Sequence, residues 1–172
     1  MGESAPQIKN LPEDHDFLYS PLSEENIEEI ARTLETAQVY EKHGIVKARK
    51  AIPGELVVTF IRGRFEKEQT AVEGDYVATG PLGELYIPEN FLKKYLPTEV
   101  DGEYLPTGFC KAIKNPFNMP VSIPDGKDKD GEDKVMKGDK ESRFAVSCNE
   151  DGSEIYSKPY IIDGEVFGLT YK

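Results

Sequence analysis

Two carboxylates, Asp75 and Glu84, are close enough in sequence to suggest acid–base chemistry. Such a pair catalyses proton transfer only when burial raises the pKa of one group and the fold holds both groups close together. The alternative is structural, because an aspartate that follows a glycine and precedes a strand is typical of a turn. There its carboxylate accepts backbone N–H bonds. We favour the turn interpretation, and we assign no catalytic residue.

Basic and aromatic residues supply the remaining candidates for binding. Arg62 and Arg64, together with the basic positions of 47–50, would form a positive strip for an anionic ligand if their strands pair. Solvated strand faces explain these charges equally well. Tyrosine is common at interfaces because it combines apolar area with a hydrogen-bonding tip, but it also fills small cores. The candidate binding residues are therefore Asp75, Tyr76, Glu84, Tyr86, Arg62 and Arg64.

Few residues of this chain could bind a metal ion or a cofactor. The acidic stretch 125–133 resembles a calcium loop, but with Gly131 at the sixth position a glycine stands first and Lys137 stands where the bidentate glutamate belongs. The chain has only two histidines and two cysteines. We expect no metal site and no cofactor. Cys110 and Cys148 are predicted to be buried free thiols, although a disulfide is an open alternative.

Composition narrows the class of protein. The 172 residues carry a net charge of −11, which repels phosphate backbones and argues against a nucleic-acid partner. No apolar run approaches the roughly 18 residues of a membrane span, and the first residues lack the pattern of a secretory signal. We therefore expect a soluble, cytoplasmic protein that binds another protein or a small ligand, with no contact to a membrane. The oligomeric state stays open.

The clearest local signal is an amphipathic helix. Ser23 can cap it, and Ile27, Ile30 and Leu34 recur at helical spacing. Gly44 can take the left-handed conformation that stops a helix, so the pattern predicts a helix over 24–42. Before it we expect a flexible arm, and after it the pattern changes to short β-rich runs. The expected boundaries are 1–22 for the arm and 23–43 for the helix segment.

The chain also resembles itself. The block 44–50 matches 108–114, each residue 64 positions later, and Gly74-Asp75 matches Gly138-Asp139 at the same offset. Further matches in the same order pair 84–86 with 154–156, and Phe91 and Tyr95 with Phe167 and Tyr171. Preserved order indicates a repeated unit over 44–97 and 108–172, joined by a linker at 98–107. The predicted fold is α+β, mostly β: two related small antiparallel β modules packed together with one N-terminal amphipathic helix.

The first repeat resembles a known module. Its motifs are Glu73-Gly74-Asp75-Tyr76-Val77, then Gly80-Pro81-Leu82-Gly83-Glu84-Leu85-Tyr86, then Phe91 with Tyr95. They are similar to the PGDYG-type module of phage and bacterial proteins. The second copy departs from that pattern, since Lys140 stands in place of the aromatic residue. The resemblance implies a fold-level neighbourhood and no activity.

Three functions follow as hypotheses. The preferred one is an acidic binding or adaptor protein without catalytic activity, because no nucleophile–base set is visible. The second is a small hydrolase or nucleotide-modifying enzyme that uses Asp75 and Glu84. The third is an acidic decoy that inhibits a nucleic-acid-binding protein. A binder should expose an aromatic-rich patch where the two copies meet.

Overall fold

The computed structural model describes residues 19–127 and 130–172. This part of the chain is mostly antiparallel β-structure with three helices, which confirms the predicted α+β, mostly β class. The helices are α1 (Glu24–Leu34), α2 (Phe91–Lys94) and α3 (Gly164–Thr170). The strands are β1 (Ser20–Pro21), β2 (Val39–Glu41), β3 (Val46–Lys50), β4 (Leu56–Ile61), β5 (Arg64–Thr70), β6 (Tyr76–Thr79), β7 (Leu85–Tyr86), β8 (Tyr95–Pro97), β9 (Glu103–Pro106), β10 (Phe109–Lys114), β11 (Val121–Lys127), β12 (Asp133–Gly138), β13 (Arg143–Cys148) and β14 (Tyr160–Ile162).

Helix α1 begins where the sequence predicts and ends earlier. The Ser23 side chain accepts a hydrogen bond from the backbone N–H of Asn26, and Leu34 is fully buried. The prediction that the helix continues to residue 42 is wrong. A turn follows Leu34, and the β-favouring residues Val39 and Tyr40 then pair with β10 as strand β2. Gly44 lies between β2 and β3 with φ +92°.

Two sheets share one strand order. The first sheet runs β7-β6-β3-β9-β8, and the second runs β14-β13-β10-β2. In the first sheet β8 takes the fifth position, next to β9. In the second sheet the C-terminal residues take that position next to β2: Tyr171 bridges to Lys42, and Lys172 exchanges backbone hydrogen bonds with Glu41. In the first sheet Tyr95 pairs with Pro106 and Leu96 pairs with Leu105. Each sheet therefore has the same five-position arrangement around its central strand, β3 or β10.

The two sheets exchange strands: each contains one strand that the sequence places next to the other sheet. Strand β2 directly precedes β3 in sequence but pairs with β10 in the second sheet. Strand β9 directly precedes β10 but pairs with β3 in the first sheet. The hydrogen bonds match, since Ala48 N–H donates to Gly102 and Ala112 N–H donates to Gln38. Each sheet is therefore completed by a strand that the sequence places next to the other one.

This exchange corrects two expected boundaries. Residues 98–107 contain β9 and are part of the first sheet, so they are not simply a linker. The last residues of the expected arm, 1–22, belong to the fold: β1 pairs in parallel with β11, and Leu22 packs on the core of the second sheet. Residues 1–18 of that arm lie outside the described residues. Strand β5 is rich in charged side chains, so no alternation of apolar residues marks it in the sequence.

The backs of the two sheets carry matched aromatic clusters. Phe91 stacks on Tyr95 with ring centroids 4.5 Å apart, and Phe167 stacks on Tyr171 at 5.2 Å. A tyrosine from each exchanged strand packs edge-on against the phenylalanine of its cluster. Tyr104 of β9 does so in the first cluster at 4.8 Å, and Tyr40 of β2 does so in the second at 4.9 Å. The closing Phe-x-x-x-Tyr match of the sequence thus has the same packing in both places.

Two other sequence matches do not coincide in space. Ala51 N–H donates to the Asp75 carbonyl, whereas the corresponding Asn115 N–H donates to Ser142, three residues past Asp139. Gly74 takes a φ of +93° in a turn, and Gly138 lies at the end of β12 without positive φ. The equivalence of Gly74 and Gly138 is therefore wrong.

The Tyr86–Tyr156 match fails for a related reason. Tyr86 pairs with Ala78 of the first sheet, and the residue that pairs with the corresponding Ala145 is Tyr160. Tyr156 is 70% exposed in the loop between β13 and β14. Here the second sheet has a longer connection, so a match by sequence spacing alone selects the wrong tyrosine.

The two cysteines are free and buried, as the sequence predicts. Cys110 is opposite Ser147 across the β10–β13 ladder, and Cys148 is opposite Phe109. Side chains alternate between the faces of a strand, so the two thiols lie on opposite faces of the second sheet. Burial raises the pKa of Cys110 to about 12.

Candidate binding face

Each sheet has a second face, opposite its aromatic cluster, which we call the front face. Residues that pair across strands share a face, so the register assigns its members. In the first sheet these are Lys47, Arg49, Val77, Thr79, Leu85, Leu96, Glu103 and Leu105. The corresponding members in the second sheet are Val39, Lys111, Ile113, Phe144 and Val146.

The front face of the second sheet is covered. Ile30 and Leu34 of α1 form a buried core with Phe144 and Val146, and the β11–β12 hairpin adds further apolar side chains to this core. Lys111 lies under the helix with only 6% of its side chain exposed. The buried apolar stripe of α1 thus has the packing role that its sequence predicts.

Lys111 is held by two oxygen partners. Its Nζ donates to the carbonyl oxygen of Glu35 at 3.0 Å, directly after the last turn of α1. It also lies 3.1 Å from Oε2 of Glu154. The carbonyl groups at a helix C-terminus carry partial negative charge, so a lysine there compensates groups that have no partner inside the helix. The covered face therefore pairs a helix end with a buried cation.

The front face of the first sheet has no such cover among the described residues. The β4–β5 hairpin packs over one end of the face, where Val57, Val77 and Ile87 form a small core. Leu85, Leu96 and Leu105 nevertheless stay exposed, at 42%, 54% and 46%, although the Thr59 hydroxyl of β4 donates to the carbonyl oxygen of Leu85. Lys47, which corresponds to Lys111, is exposed between them.

A shallow cleft of about 410 Å³ lies on this open part of the face. Both signs of charge line it, with Lys47 and Arg49 on β3 and Asp101 and Glu103 on the other side. The Arg49 guanidinium is already engaged, because it makes two hydrogen bonds to the carboxylate of Glu55. That interaction lowers the pKa of Glu55 to about 2. Arg49 thus already has a carboxylate partner. Lys47 is the basic residue of this cleft that corresponds to Lys111, the buried lysine that contacts α1.

The two predicted carboxylates lie at opposite ends of β6. The Asp75 carboxylate accepts a hydrogen bond from the Val72 N–H at 2.9 Å in the turn before the strand. Glu84 is buried after the strand, and its carboxylate accepts a bond from the Leu82 N–H at 2.8 Å. Both groups therefore perform turn chemistry, and the fold does not bring them together as an acid–base pair.

The predicted aromatic residues belong to the back of the first sheet. Tyr76 stacks on Phe91 with ring centroids 4.7 Å apart. The Tyr86 hydroxyl lies 3.4 Å from the hydroxyl of Tyr95, and burial raises the pKa of Tyr86. These tyrosines fill a small core, which is the second of the two roles that the sequence allows.

The predicted arginines join the two halves of the molecule. Arg62 occupies the tip of the β4–β5 hairpin with φ +52° and forms ion pairs with Asp163 and Glu165 at the start of α3. Arg64 lies over the Tyr19 ring, 5.9 Å from its centroid. The predicted positive strip is thus divided, since Arg62 and Arg64 contact the second half whereas Lys47 and Arg49 lie on the open face.

An aromatic patch does lie beside this junction. Phe60 and Phe65 pair across the hairpin with ring centroids 6.2 Å apart, and about half of each side chain is exposed. The sequence analysis selects neither these residues nor the exposed leucines of the first front face as binding candidates, although Leu85 lies within the quoted motif. Two of the leucines have a signal in the sequence. Leu96 matches Lys172 at the offset of 76, and Leu105 matches Glu41, which precedes the first repeat, at the offset of 64.

Neither the comparisons with known proteins nor a search of the described residues for metal sites and membrane-spanning helices adds a candidate site. Comparisons with protein-family models, curated proteins and solved structures found no match. Within residues 19–127 and 130–172, no three His, Cys, Asp or Glu side chains are grouped so that they could hold a metal ion. No helix in that part of the chain is both long and apolar enough to cross a membrane.

Proposed function

We propose that this chain is a non-catalytic binding or adaptor protein, and that the front face of the first sheet is its binding surface. The observation that carries the proposal is the contrast between two corresponding faces. One is covered by α1, whereas the other leaves Leu85, Leu96 and Leu105 exposed around Lys47. Exposed apolar residues grouped on one face, with polar groups among them, are typical of protein-interaction sites.

The matched strand order supports a history for this contrast. We propose that the two halves arose by duplication of one β-unit related to the PGDYG-type module. In that history the second copy became the supporting half when α1 covered it, and the first copy kept its face free for a partner. The separation of Asp75 from Glu84 gives the enzymatic alternative no comparable support.

The test is affinity capture from an extract of the native host, with bound proteins quantified by mass spectrometry. Three baits are compared: the unmodified protein, a Leu96→Asp/Leu105→Asp variant, and a Leu169→Asp control. Leu169 lies on α3 and is exposed to a similar extent as the two front-face leucines. Thermal melting of all three baits verifies that they are folded.

The proposal predicts at least one protein that the unmodified and control baits retain and that the double variant loses. It is contradicted if all three baits retain the same proteins, or if loss follows Leu169→Asp alone. Retention that falls steeply with salt and survives the double variant would instead favour the acidic-decoy hypothesis.

A further inference from the structure

The covered face of the second sheet shows what kind of structure the first face fits. In the covered case, the occupant is an 11-residue amphipathic helix, α1, whose apolar stripe packs on the sheet. The carbonyl oxygen of Glu35, at its C-terminal cap, accepts a hydrogen bond from Lys111. Since Lys47 occupies the position of Lys111 on a sheet of the same strand order, the first face has the same cation at the same place.

The dimensions of the open face agree with a helix. Leu85 on β7 and Leu105 on β9 are three strand spacings apart, which is about 14 Å. A ten-residue helix is about 15 Å long. The face is therefore wide enough for a short helix. Lys47 is on β3, between the two leucines, so a helix whose C-terminus contacts Lys47 extends from β3 toward one of them.

Charge supports the same occupant. Lys47 is exposed, and the negative partial charge at a helix C-terminus complements a lysine ammonium group. Lys111 shows the completed version of this contact, in which a helix carbonyl and a glutamate carboxylate share one ammonium group. In the second sheet the glutamate comes from the loop between β13 and β14, and the helix supplies only the carbonyl oxygen. The equivalent contribution of a partner helix to Lys47 is therefore a C-terminal carbonyl oxygen.

We infer that the front face of the first sheet binds an amphipathic helix of another protein, with the helix C-terminus against Lys47. This inference rests on the proposed function and adds to it the chemistry of the partner. The partner helix carries aliphatic residues at the spacing that α1 uses and ends over β3.

The inference is tested with a defined probe, a fluorescent peptide of residues 22–38, which contains α1 and its C-terminal cap. Binding to the full-length protein is followed by fluorescence anisotropy. A second peptide with Ile30→Asp and Leu34→Asp serves as the probe without an apolar stripe. The protein variants are Lys47→Glu, Leu105→Asp and the control Leu169→Asp.

We expect the α1 peptide to bind the unmodified and Leu169→Asp proteins equally. Lys47→Glu and Leu105→Asp should each weaken binding by about tenfold or more, the equivalent of about 1.4 kcal/mol, and the stripe-broken peptide should not bind. Binding that is insensitive to both variants would mean that the peptide replaces α1 on the second sheet, and it would overturn the inference.

Two further outcomes separate this inference from the proposed function. If the peptide does not bind but the capture experiment still finds a partner lost from the double variant, the binding face stands and the helical partner is wrong. If sedimentation shows a dimer that Leu105→Asp dissociates, the occupant is a second copy of the chain, and the inference is again overturned.

Discussion

Lys47 and Lys111 occupy corresponding positions but have different surroundings. Lys111 is buried against the Glu35 carbonyl and the Glu154 carboxylate, whereas Lys47 lies exposed on an open face. A charged group that is removed from water requires partners that replace its hydration, so a buried lysine stays charged only beside such partners. The same residue type therefore stabilises the fold in one sheet and is available for binding in the other.

This difference predicts unequal costs for the same substitution. Lys111→Met leaves the Glu154 carboxylate and the α1 carbonyl without their cation, so we expect it to lower the free energy of unfolding by about 2–3 kcal/mol. Lys47→Met should change it by less than about 0.5 kcal/mol, because the side chain is exposed. Urea denaturation followed by circular dichroism measures both. Equal costs would show that the two lysines have the same surroundings.

The thiol of Cys110 gives a prediction for pH dependence. Burial raises its pKa to about 12, so the reactive thiolate is scarce in the native state throughout the neutral and mildly alkaline range. We expect almost no reaction of Cys110 with Ellman's reagent at pH 8, and full reaction once urea unfolds the chain. The raised pKa favours the protonated thiol, so reactivity should rise only near pH 12. Fast native labelling of Cys110 at pH 8 would contradict its burial.

At the scale of elements, α1 acts mainly as a cover. Its stripe contributes Ile30 and Leu34 to the core of the second sheet, and Ser23 caps its first turn. Helices of this length are marginal in water alone, so packing on the sheet supplies most of their stability. The state of α1 is therefore linked to the apolar residues beneath it.

Leu34→Ala should cost about 2–5 kcal/mol, because Leu34 is fully buried and its truncation leaves a cavity between helix and sheet. Arg32→Ala, on the same helix but away from the core, is the matched control, with an expected change within about 0.5 kcal/mol. Thermal denaturation distinguishes the two variants. A Leu34→Ala cost as small as that of Arg32→Ala would show that α1 does not pack on the sheet.

The elements that sequence patterns predict well are those that local chemistry determines. Ser23 and the stripe of α1 fix its start and its buried face. Strand β6 consists mostly of the β-branched and aromatic residues that favour strands. The end of α1 and strand β9 depend instead on partners far away in sequence. Val39 and Tyr40 leave the helix because β10 is available to pair with them, and no local pattern reports that.

At the scale of the whole molecule, the exchange of β2 and β9 ties the two sheets together. Further contacts reinforce the connection. Arg62 pairs with Asp163, and the Lys42 ammonium group lies about 6 Å from both the Tyr95 and Tyr171 rings. Burial lowers the pKa of this lysine, and Lys94 adds to the effect. The halves are thus interdependent, although the sequence repeat suggests separate modules.

The exchange predicts that substitutions act on the sheet that is distant in sequence. Tyr40 precedes β3 but packs on Phe167, so Tyr40→Ala should accelerate amide hydrogen exchange in β10 more than in β3. Tyr104→Ala should have the reverse effect, because Tyr104 packs on Phe91. If each substitution mainly affects the strand that follows it in the chain, the exchanged arrangement is wrong.

The candidate site was less predictable than the fold. The sequence points to Asp75 and Glu84 through their spacing, to Tyr86 through its repetition and to Tyr76 through the Gly-Asp-Tyr motif. Residues of these types also build turns and small cores. The exposed leucines stood out only after the register had shown which face they share and which face α1 covers. Whether a face is covered depends on tertiary packing, and sequence periodicity does not report it.

One difference separates the two sheets: α1 covers the front face of the second, and no described residue covers the exposed leucines of the first. Methyl NMR spectra of the full-length protein, recorded with increasing amounts of a soluble gadolinium chelate, measure this directly. We predict strong broadening of the Leu85, Leu96 and Leu105 methyl signals, and weak broadening for Leu34, Ile123 and Val146. Equal broadening of the two groups, or protection of the three exposed leucines, would contradict the account.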